Sequence, residues 1–166
     1  MDATMDTTIS RAGPADLDAL AVLFDAYRQF YGQAPDLARA RQWLRERLRF
    51  GESVVLVARR GDEAAGFVQL YPMFSSVRTT RTWILNDLYV DAALRRKGVA
   101  RALLDAAALF ARDDGAAGIS LETTRDNAAA RALYRDAGWH EDETQWYSMA
   151  LSPPGSGNRD EASSDG

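Results

Sequence analysis

The pattern of hydrophobic and polar positions divides the chain into helical and extended segments. Two stretches near the start, 13–32 and 35–51, repeat apolar residues every three or four positions, and each ends at a glycine. This spacing places apolar side chains on one face of an α-helix, and glycine commonly ends one. The sequence therefore predicts two consecutive helices after a polar, unpatterned start over residues 1–8.

The middle of the chain changes to runs rich in β-branched and aromatic residues. The runs 53–59 and 65–71 flank Gly61 and Asp62, which predict a tight turn between two antiparallel strands. A third run, TWILNDLYV, is apolar on both faces, as expected of a central strand. Strict alternation would put Ile84, Asn86, Leu88 and Val90 on one face and Trp83, Leu85, Asp87 and Tyr89 on the other.

The last third predicts helices and strands in alternation. Apolar residues from Val99 to Phe110 have helical spacing, GISLETT reads as a strand, and Asn127 is a good N-cap for a helix ending at Gly138. The closing WHEDETQWYSMAL alternates as strands do. We predict an α/β (α+β) fold in the order ααβββαβαββ, with a mixed, mostly antiparallel sheet and four helices.

Composition narrows the function classes. With 166 residues and 46% hydrophobic content, we expect one domain over residues 9–151 and disordered ends at 1–8 and 152–166. The absence of cysteine excludes disulfides and thiolate sites, and one histidine disfavours a zinc centre or a Ser-His hydrolase. The net charge of −4 disfavours nucleic acid as a partner, and no leader or membrane span is evident. We expect a cytoplasmic protein without a metal.

The segment LRRKGVARALL places three cations directly before a predicted helix N-terminus. That end of a helix has unpaired N–H groups and a partial positive charge, so it favours an anion. Glycine at position 98 lets a ligand approach the backbone closely, as a phosphate-binding loop requires. The alternative is a solvated surface triplet, which would cost the exposed helix end only about 0.3–1 kcal/mol.

Two segments resemble the GCN5-related N-acetyltransferase (GNAT) superfamily. They are LNDLYVDAALRRKGVARALLDAA and TTRDNAAARALYRDAGW, which lie in the order and at the separation typical of that family. More loosely, YRQFYG, QLYPMFSS and ILNDLYV resemble a branch that acetylates polyamines, histones or D-amino acids. The resemblance implies a direct transfer from acetyl-CoA to an amine in a ternary complex.

The resemblance also implies roles for individual residues. The backbone of the strand end would pair with the pantetheine arm of acetyl-CoA, and the N–H of Val90 would polarise the thioester carbonyl. The residues implied for the arm are Leu88, Tyr89 and Val90, and those implied for the pyrophosphate are Arg95, Arg96, Lys97, Gly98, Val99 and Ala100. Tyr134 matches the family tyrosine that protonates the departing thiolate, although such a tyrosine can also be a core residue. Asn127 would contact the pantetheine amides or simply cap its helix.

The general base is less determined by the sequence. Related diamine acetyltransferases often have glutamate at the position of Asn86, and an amide cannot usefully accept a proton. Asp87 is the next candidate, although an alternating strand turns it to the opposite face. Glu122 on the following strand, or a chain of water molecules, is the alternative.

The acceptor site of this superfamily lies between the first helices and the loop after the second strand. Four aromatic residues there suit an alkylammonium group, although such clusters are more often part of a core: Tyr27, Tyr31, Tyr71 and Phe74. We also assign Asn86 to the substrate side. Arginines at positions 28, 78 and 81 would instead favour a substrate carboxylate. We predict a small-molecule amine acceptor such as a polyamine or amino acid. The alternatives are a protein lysine acetyltransferase and a non-catalytic acyl-CoA sensor, and residues 145–151 can pair across a homodimer.

Overall fold

A computed structural model describes residues 6–151 of the chain. Its sheet has five strands, which are β1 (Thr7–Arg11), β2 (Val54–Arg60), β3 (Glu63–Ser75), β4 (Thr80–Val90) and β5 (Ile119–Ser120). Four α-helices accompany it, which are α1 (Leu17–Phe30), α2 (Leu37–Phe50), α3 (Val99–Asp113) and α4 (Ala128–Asp136). Most of the two predicted disordered ends, residues 1–5 and 152–166, lies outside the described part.

The strands follow one another across the sheet in chain order. The pairs β1–β2, β2–β3 and β3–β4 are antiparallel, and β5 runs parallel to β4. Helices α1 and α2 cover one face, where Leu20, Leu44 and Phe67 are buried, whereas α3 and α4 pack on the other face, where Val68 and Leu103 of α3 are buried. The predicted fold class is therefore confirmed. No helix in residues 6–151 is long and apolar enough to cross a bilayer.

The order of elements differs from the prediction at both ends of the domain. The first element is β1, which pairs with the edge of β2 from Thr7 onward, two residues before the expected domain start. Its sequence TTISR has a single large apolar residue, Ile9, so its pattern is too short to identify a strand. Residues 139–151 form no strand, and β5 before them has only two residues, so the two closing strands that the pattern predicted are wrong.

The alternation along β4 is interrupted by a β-bulge at Asn86. Gln69 of β3 pairs with Asp87, but the next residue, Leu70, pairs with Leu85, so Asn86 is an extra residue. An extra residue reverses the direction of every side chain that follows it. The expectation of strict alternation is therefore wrong across Asn86. Leu85 and Leu88 both belong to the core on the α3 face, and Tyr89 belongs to the core on the α1 face.

Candidate active site

The backbone of β4 is unpaired along one edge at its C-terminal end. β5 pairs only with Trp83 and Ile84 of β4. The N–H of Asp91 donates to the carbonyl of Ala65 at 2.9 Å, so this peptide faces the β3 side. Since peptide directions alternate along a strand, the polar groups of Leu88 and Val90 face away from β3, past the last residue of β5.

Arg95 occupies part of this edge. Its Nε donates to the carbonyl of Val90 at 3.1 Å. The guanidinium lies 5.5 Å from the ring centroid of Phe30 and 5.6 Å from that of Tyr89. These contacts hold the Arg95 side chain at the end of β4. The sequence had suggested that this side chain would lie at the start of α3 with the other two cations, and it does not.

The N-terminus of α3 forms a positively charged turn. Gly98 is the N-cap in the left-handed region, with φ of 80°, and Arg96 also has a positive φ of 61°. The first turn of α3 contains no acidic residue, and its first N–H groups lack partners within the helix. Within residues 6–151, neither Arg96 nor Lys97 makes an ion pair, and both side chains are exposed. The turn therefore has the electrostatics and the free donors that a phosphate group needs.

Helix α4 brings Tyr134 toward the end of α1. The helix begins at Asn127, whose side chain accepts a hydrogen bond from the N–H of Ala130 at 3.1 Å, so Asn127 acts as an N-cap. Arg101 of α3 donates to the carbonyl of Asp136 at 2.9 Å and so fixes the last turn of α4. Burial, followed by the nearby Tyr31, raises the pKa of Tyr134. The Tyr134 phenol therefore stays protonated at neutral pH and can donate its proton.

Asp87 is a buried carboxylate with three hydrogen-bond donors. Its side chain is only 5% exposed. Nε2 of Gln69 donates to Oδ2 at 2.7 Å, and Nδ2 of Asn86 donates to Oδ1 at 3.0 Å. The hydroxyl of Tyr27 on α1 donates to the same carboxylate. The bulge therefore turns Asp87 toward α1, where donors hold both of its oxygens.

Aromatic residues surround Asp87 on the same face of the sheet. Burial and the charge of Asp87 raise the pKa of both Tyr27 and Tyr71. The ring of Tyr27 lies 5.1 Å from that of Tyr31 and 6.2 Å from that of Tyr89. Tyr31 is itself exposed and lies close enough to Tyr134 to influence its pKa. Ring contacts therefore connect the neighbour of Asp87, Tyr27, with Tyr31, and Tyr31 acts on Tyr134 electrostatically.

Two predicted residues lie apart from this cluster. Phe74 is exposed near the far end of β3, where the guanidinium of Arg81 lies 5.5 Å from its ring. It is an odd number of positions from Tyr71 along β3, so the two side chains leave the sheet on opposite faces. Glu122 is exposed and follows the last residue of β5. The structure therefore does not bring either residue to Asp87.

The arginines considered for a substrate carboxylate are largely engaged within the protein. Arg28 pairs with the buried Asp25 at 2.8 Å. Arg81 pairs with Asp114 at 3.3 Å. Arg78 lies in the exposed turn between β3 and β4. No cation is therefore placed against the aromatic cluster from these positions.

Sequence reasoning missed Gln69, although its signal was present. Gln69 is the one polar residue in the run GFVQLY, and it is completely buried. A lone polar residue within an apolar strand needs a buried hydrogen-bond partner. That partner is Asp87. Identifying it requires the register between β3 and β4, which places Gln69 opposite Asp87.

The chain matches the model of the acetyltransferase (GNAT) family over residues 18–139. It is 46% identical to an uncharacterized N-acetyltransferase of Bacillus subtilis, YhfO, over 81% of this chain and 90% of that protein. It is 28% identical to an aminoglycoside N(6')-acetyltransferase type 1 of Stenotrophomonas maltophilia, over 88% of this chain and 95% of that protein.

A crystal structure of a probable acetyltransferase superposes with a TM-score of 0.84 at 41% identity, over 88% of this chain and 99% of that chain. The family uses acetyl-CoA as its co-substrate. Sequence match, fold and the positively charged turn before α3 agree in pointing to an acyltransferase. The chain belongs to the GNAT family of acetyltransferases.

Proposed function

We propose that this enzyme transfers the acetyl group of acetyl-CoA to the primary amine of a small cationic molecule, by direct attack in a ternary complex. The observation that carries the proposal is the outer edge of β4 at Leu88 and Val90, which no strand pairs, next to a buried carboxylate at Asp87. Tyr27 interacts with Asp87 and packs against Tyr31, and Tyr31 in turn is near enough to raise the pKa of Tyr134, which supports a proton acceptor and a proton donor at the same end of the sheet.

The residues present fit acetyl-CoA, which supplies an activated acyl group as a thioester. The outward-facing N–H groups of Leu88 and Val90 and the C=O of Leu88, with Tyr89 between them, are suited to the amides of a pantetheine arm, whereas the C=O of Val90 already accepts from Arg95. Arg96, Lys97 and the first N–H groups of α3, from Gly98 through Val99 and Ala100, are suited to a pyrophosphate. We assign Arg95 to the pyrophosphate through its backbone, because its side chain is engaged at Val90. Asn127 remains a cofactor contact in the proposal, in addition to its role as an N-cap.

Three groups would carry the chemistry. The carboxylate of Asp87 would accept a proton from the substrate ammonium, which leaves a neutral amine able to attack. The N–H of Val90 would donate to the thioester oxygen as negative charge develops there. The hydroxyl of Tyr134 would give its proton to the departing sulfur, a role consistent with its raised pKa.

The charges around the site favour a cationic acceptor. Asp87 is the carboxylate that the aromatic cluster surrounds, and aromatic faces attract ammonium groups. Arg28 and Arg81 are already paired with carboxylates, which argues against an amino-acid carboxylate as the recognised group. We assign Tyr31, Tyr71 and the bulged Asn86 to the acceptor side, and we omit Phe74. The aminoglycoside relative supports polycationic amines as the first class to test.

The proposal is tested by measuring free CoA released from acetyl-CoA over a panel of polyamines, aminoglycosides, amino acids and a lysine peptide. Tyr134→Phe is expected to lower kcat about 10²-fold and to leave acetyl-CoA binding unchanged, because only the proton donor is lost. Tyr147→Phe is the matched control, since Tyr147 is 92% exposed and lies outside α4. It should retain full activity.

Three results would contradict the proposal. Equal turnover by Tyr134→Phe would remove Tyr134 from the reaction. Binding of acetyl-CoA without acetylation of any small amine would favour the non-catalytic sensor, and reaction of the lysine peptide alone would favour a protein acetyltransferase.

A further inference from the structure

A buried polar pair lies behind Asp87 in the layer between the sheet and α1. Gln69 of β3 has no exposed surface, and Ser53, the residue before β2, is 4% exposed. Oγ of Ser53 donates to Oε1 of Gln69 at 2.8 Å, and Nε2 of Gln69 donates to Oδ2 of Asp87 at 2.7 Å. A directed chain of hydrogen bonds therefore runs from Ser53 through Gln69 to Asp87.

The partners determine which way the Gln69 amide points. An ionised carboxylate can only accept hydrogen bonds, so the nitrogen of the amide must face Asp87. The amide oxygen then faces Ser53, whose hydroxyl can donate to it. Removing Ser53 would leave this oxygen without its donor in an apolar layer that includes Val55 and Val57.

Burying this pair has a cost that packing alone does not explain. Apolar residues of similar size at both positions would be nearly neutral or stabilising in such a layer. A hydrogen bond to an ionised group is stronger than one between neutral groups, and it favours the charged form. Gln69 therefore acts on the one property of Asp87 that a general base needs, which is a fixed, ionised carboxylate.

We propose that Gln69 is a positioning residue for the proton acceptor of the acetyltransferase, and that Ser53 fixes the orientation of its amide. The inference rests on the proposed role of Asp87 in acetyl transfer. Gln69 holds Oδ2 of Asp87 from β3, while Asn86 holds Oδ1 from the bulge itself. Together they leave the carboxylate one orientation, facing Tyr27 on α1.

The titratable side chains around Asp87 determine how a change in its titration is interpreted. Tyr27 of α1 and Tyr71 of β3 are the titratable side chains that interact with it, and both remain neutral over the acidic range. Arg47 of α2 and Glu52 interact with Tyr71 and are unchanged in every variant compared. A change in the titration after substitution at Gln69 is therefore attributable to the lost hydrogen bond.

The experiment compares Gln69→Leu with the wild type in two measurements. The first follows the ¹³C resonance of the Asp87 carboxyl as pH is lowered, which requires no activity. We expect its midpoint to move to higher pH by about 1–2 units, the equivalent of one hydrogen bond to a charged group. The second is the pH–rate profile, in which the acidic limb should move in the same direction and kcat should fall about 10-fold. The KM for acetyl-CoA should not change.

Two further variants separate positioning from a structural role. Ser53→Ala should shift the midpoint less than Gln69→Leu does, and it should add nothing in the Gln69→Leu background, because the two residues act as one chain. Val57→Ala is the matched control, since Val57 is fully buried in the same layer without a polar contact to Asp87. It should lower stability without moving the midpoint.

The outcomes distinguish this inference from the proposed function. An unchanged Asp87 midpoint in Gln69→Leu would overturn the positioning role even if the enzyme acetylates its amine normally. A wild type that acetylates nothing, but whose Asp87 midpoint still depends on Gln69, would overturn the assigned reaction and support the hydrogen-bond chain. An equal shift in Val57→Ala would show that the effect is general loosening of the layer, which also overturns the inference.

Discussion

Asp87 shows at the scale of one residue how a buried charge can be retained in a hydrophobic layer. Gln69, Asn86 and Tyr27 donate to its two oxygens, so the carboxylate is paired although it is 5% exposed. A buried ionised group without such donors would be strongly destabilising. The donors come from β3, from the bulge and from α1, so the site depends on three elements meeting correctly.

Replacing Asp87 with asparagine tests the residue directly. We expect Asp87→Asn to lower kcat about 10²-fold and to abolish the acidic limb of the pH–rate profile, because an amide cannot accept the substrate proton. Acetyl-CoA binding should be retained. Steady-state kinetics across pH with the best acceptor of the panel would measure both effects.

Asp25→Asn is the matched control for this substitution. Asp25 is also a buried carboxylate on the α1 side, but it accepts hydrogen bonds from Arg28 and Gln29 rather than from the site. Its loss should reduce stability and preserve the acidic limb. An acidic limb that persists in Asp87→Asn would exclude Asp87 as the base.

At the scale of the element, β4 combines a bulge with a free edge. The bulge at Asn86 turns Asp87 toward α1, and the end of the strand presents Val90 beyond β5. Gly66 of β3 pairs with Val90, and an added Cβ there would lie 2.6 Å from the carbonyl oxygen of Tyr89. The two backbones approach so closely at this point that only glycine fits, so Gly66 fixes the position of the edge.

Gly66→Ala is therefore expected to displace the end of β4. A contact under 3.0 Å with a backbone atom cannot be relieved by a side-chain rotation, so the strands must separate. We expect a loss of about 1–3 kcal/mol in the free energy of unfolding, as for overpacked cores, and a higher KM for acetyl-CoA. Chemical denaturation and initial rates would measure these changes.

Gly118→Ala provides the comparison, because a Cβ at Gly118 meets no atom within 4 Å and its backbone lies outside the left-handed region. It should leave both quantities nearly unchanged. A Gly66→Ala variant with the stability and KM of the wild type would contradict the close approach of β3 and β4.

At the scale of the whole molecule, the tyrosines make stability depend on alkaline pH. Burial raises the pKa of Tyr27, Tyr71 and Tyr134 above the ordinary value of 10.0. Below that value these phenols are neutral in both the folded and the unfolded chain. Above it the unfolded chain releases its protons first, so the folded state loses stability as pH rises.

We expect the free energy of unfolding to fall above about pH 10, with a slope for each tyrosine below the limit of about 1.4 kcal/mol per pH unit, since these side chains are only partly buried. Tyr27→Phe should make the fall less steep, whereas Tyr147→Phe, at an exposed position, should not. Urea denaturation over the alkaline range would measure the slopes. Equal slopes in Tyr27→Phe and the wild type would contradict the burial of this hydroxyl.

Much of the fold is predictable because it is encoded locally. Helices α1 and α2, the hairpin of β2 and β3, and α3 after its glycine turn all follow from periodicity and capping residues. β1 could not be recognised, because a five-residue edge strand with one large apolar side chain is held by backbone pairing to β2. The closing segment illustrates the reverse case, since its alternating pattern forms no strand in the structure.

The sequence by itself determined the fold class, the positively charged turn before α3 and the family, because these depend on short-range spacing. Only the tertiary structure decided that Asp87 faces α1 and that Gln69 holds it. The physical reason is the bulge at Asn86. A bulge is a property of the pairing between two strands, so no pattern within either strand reveals it.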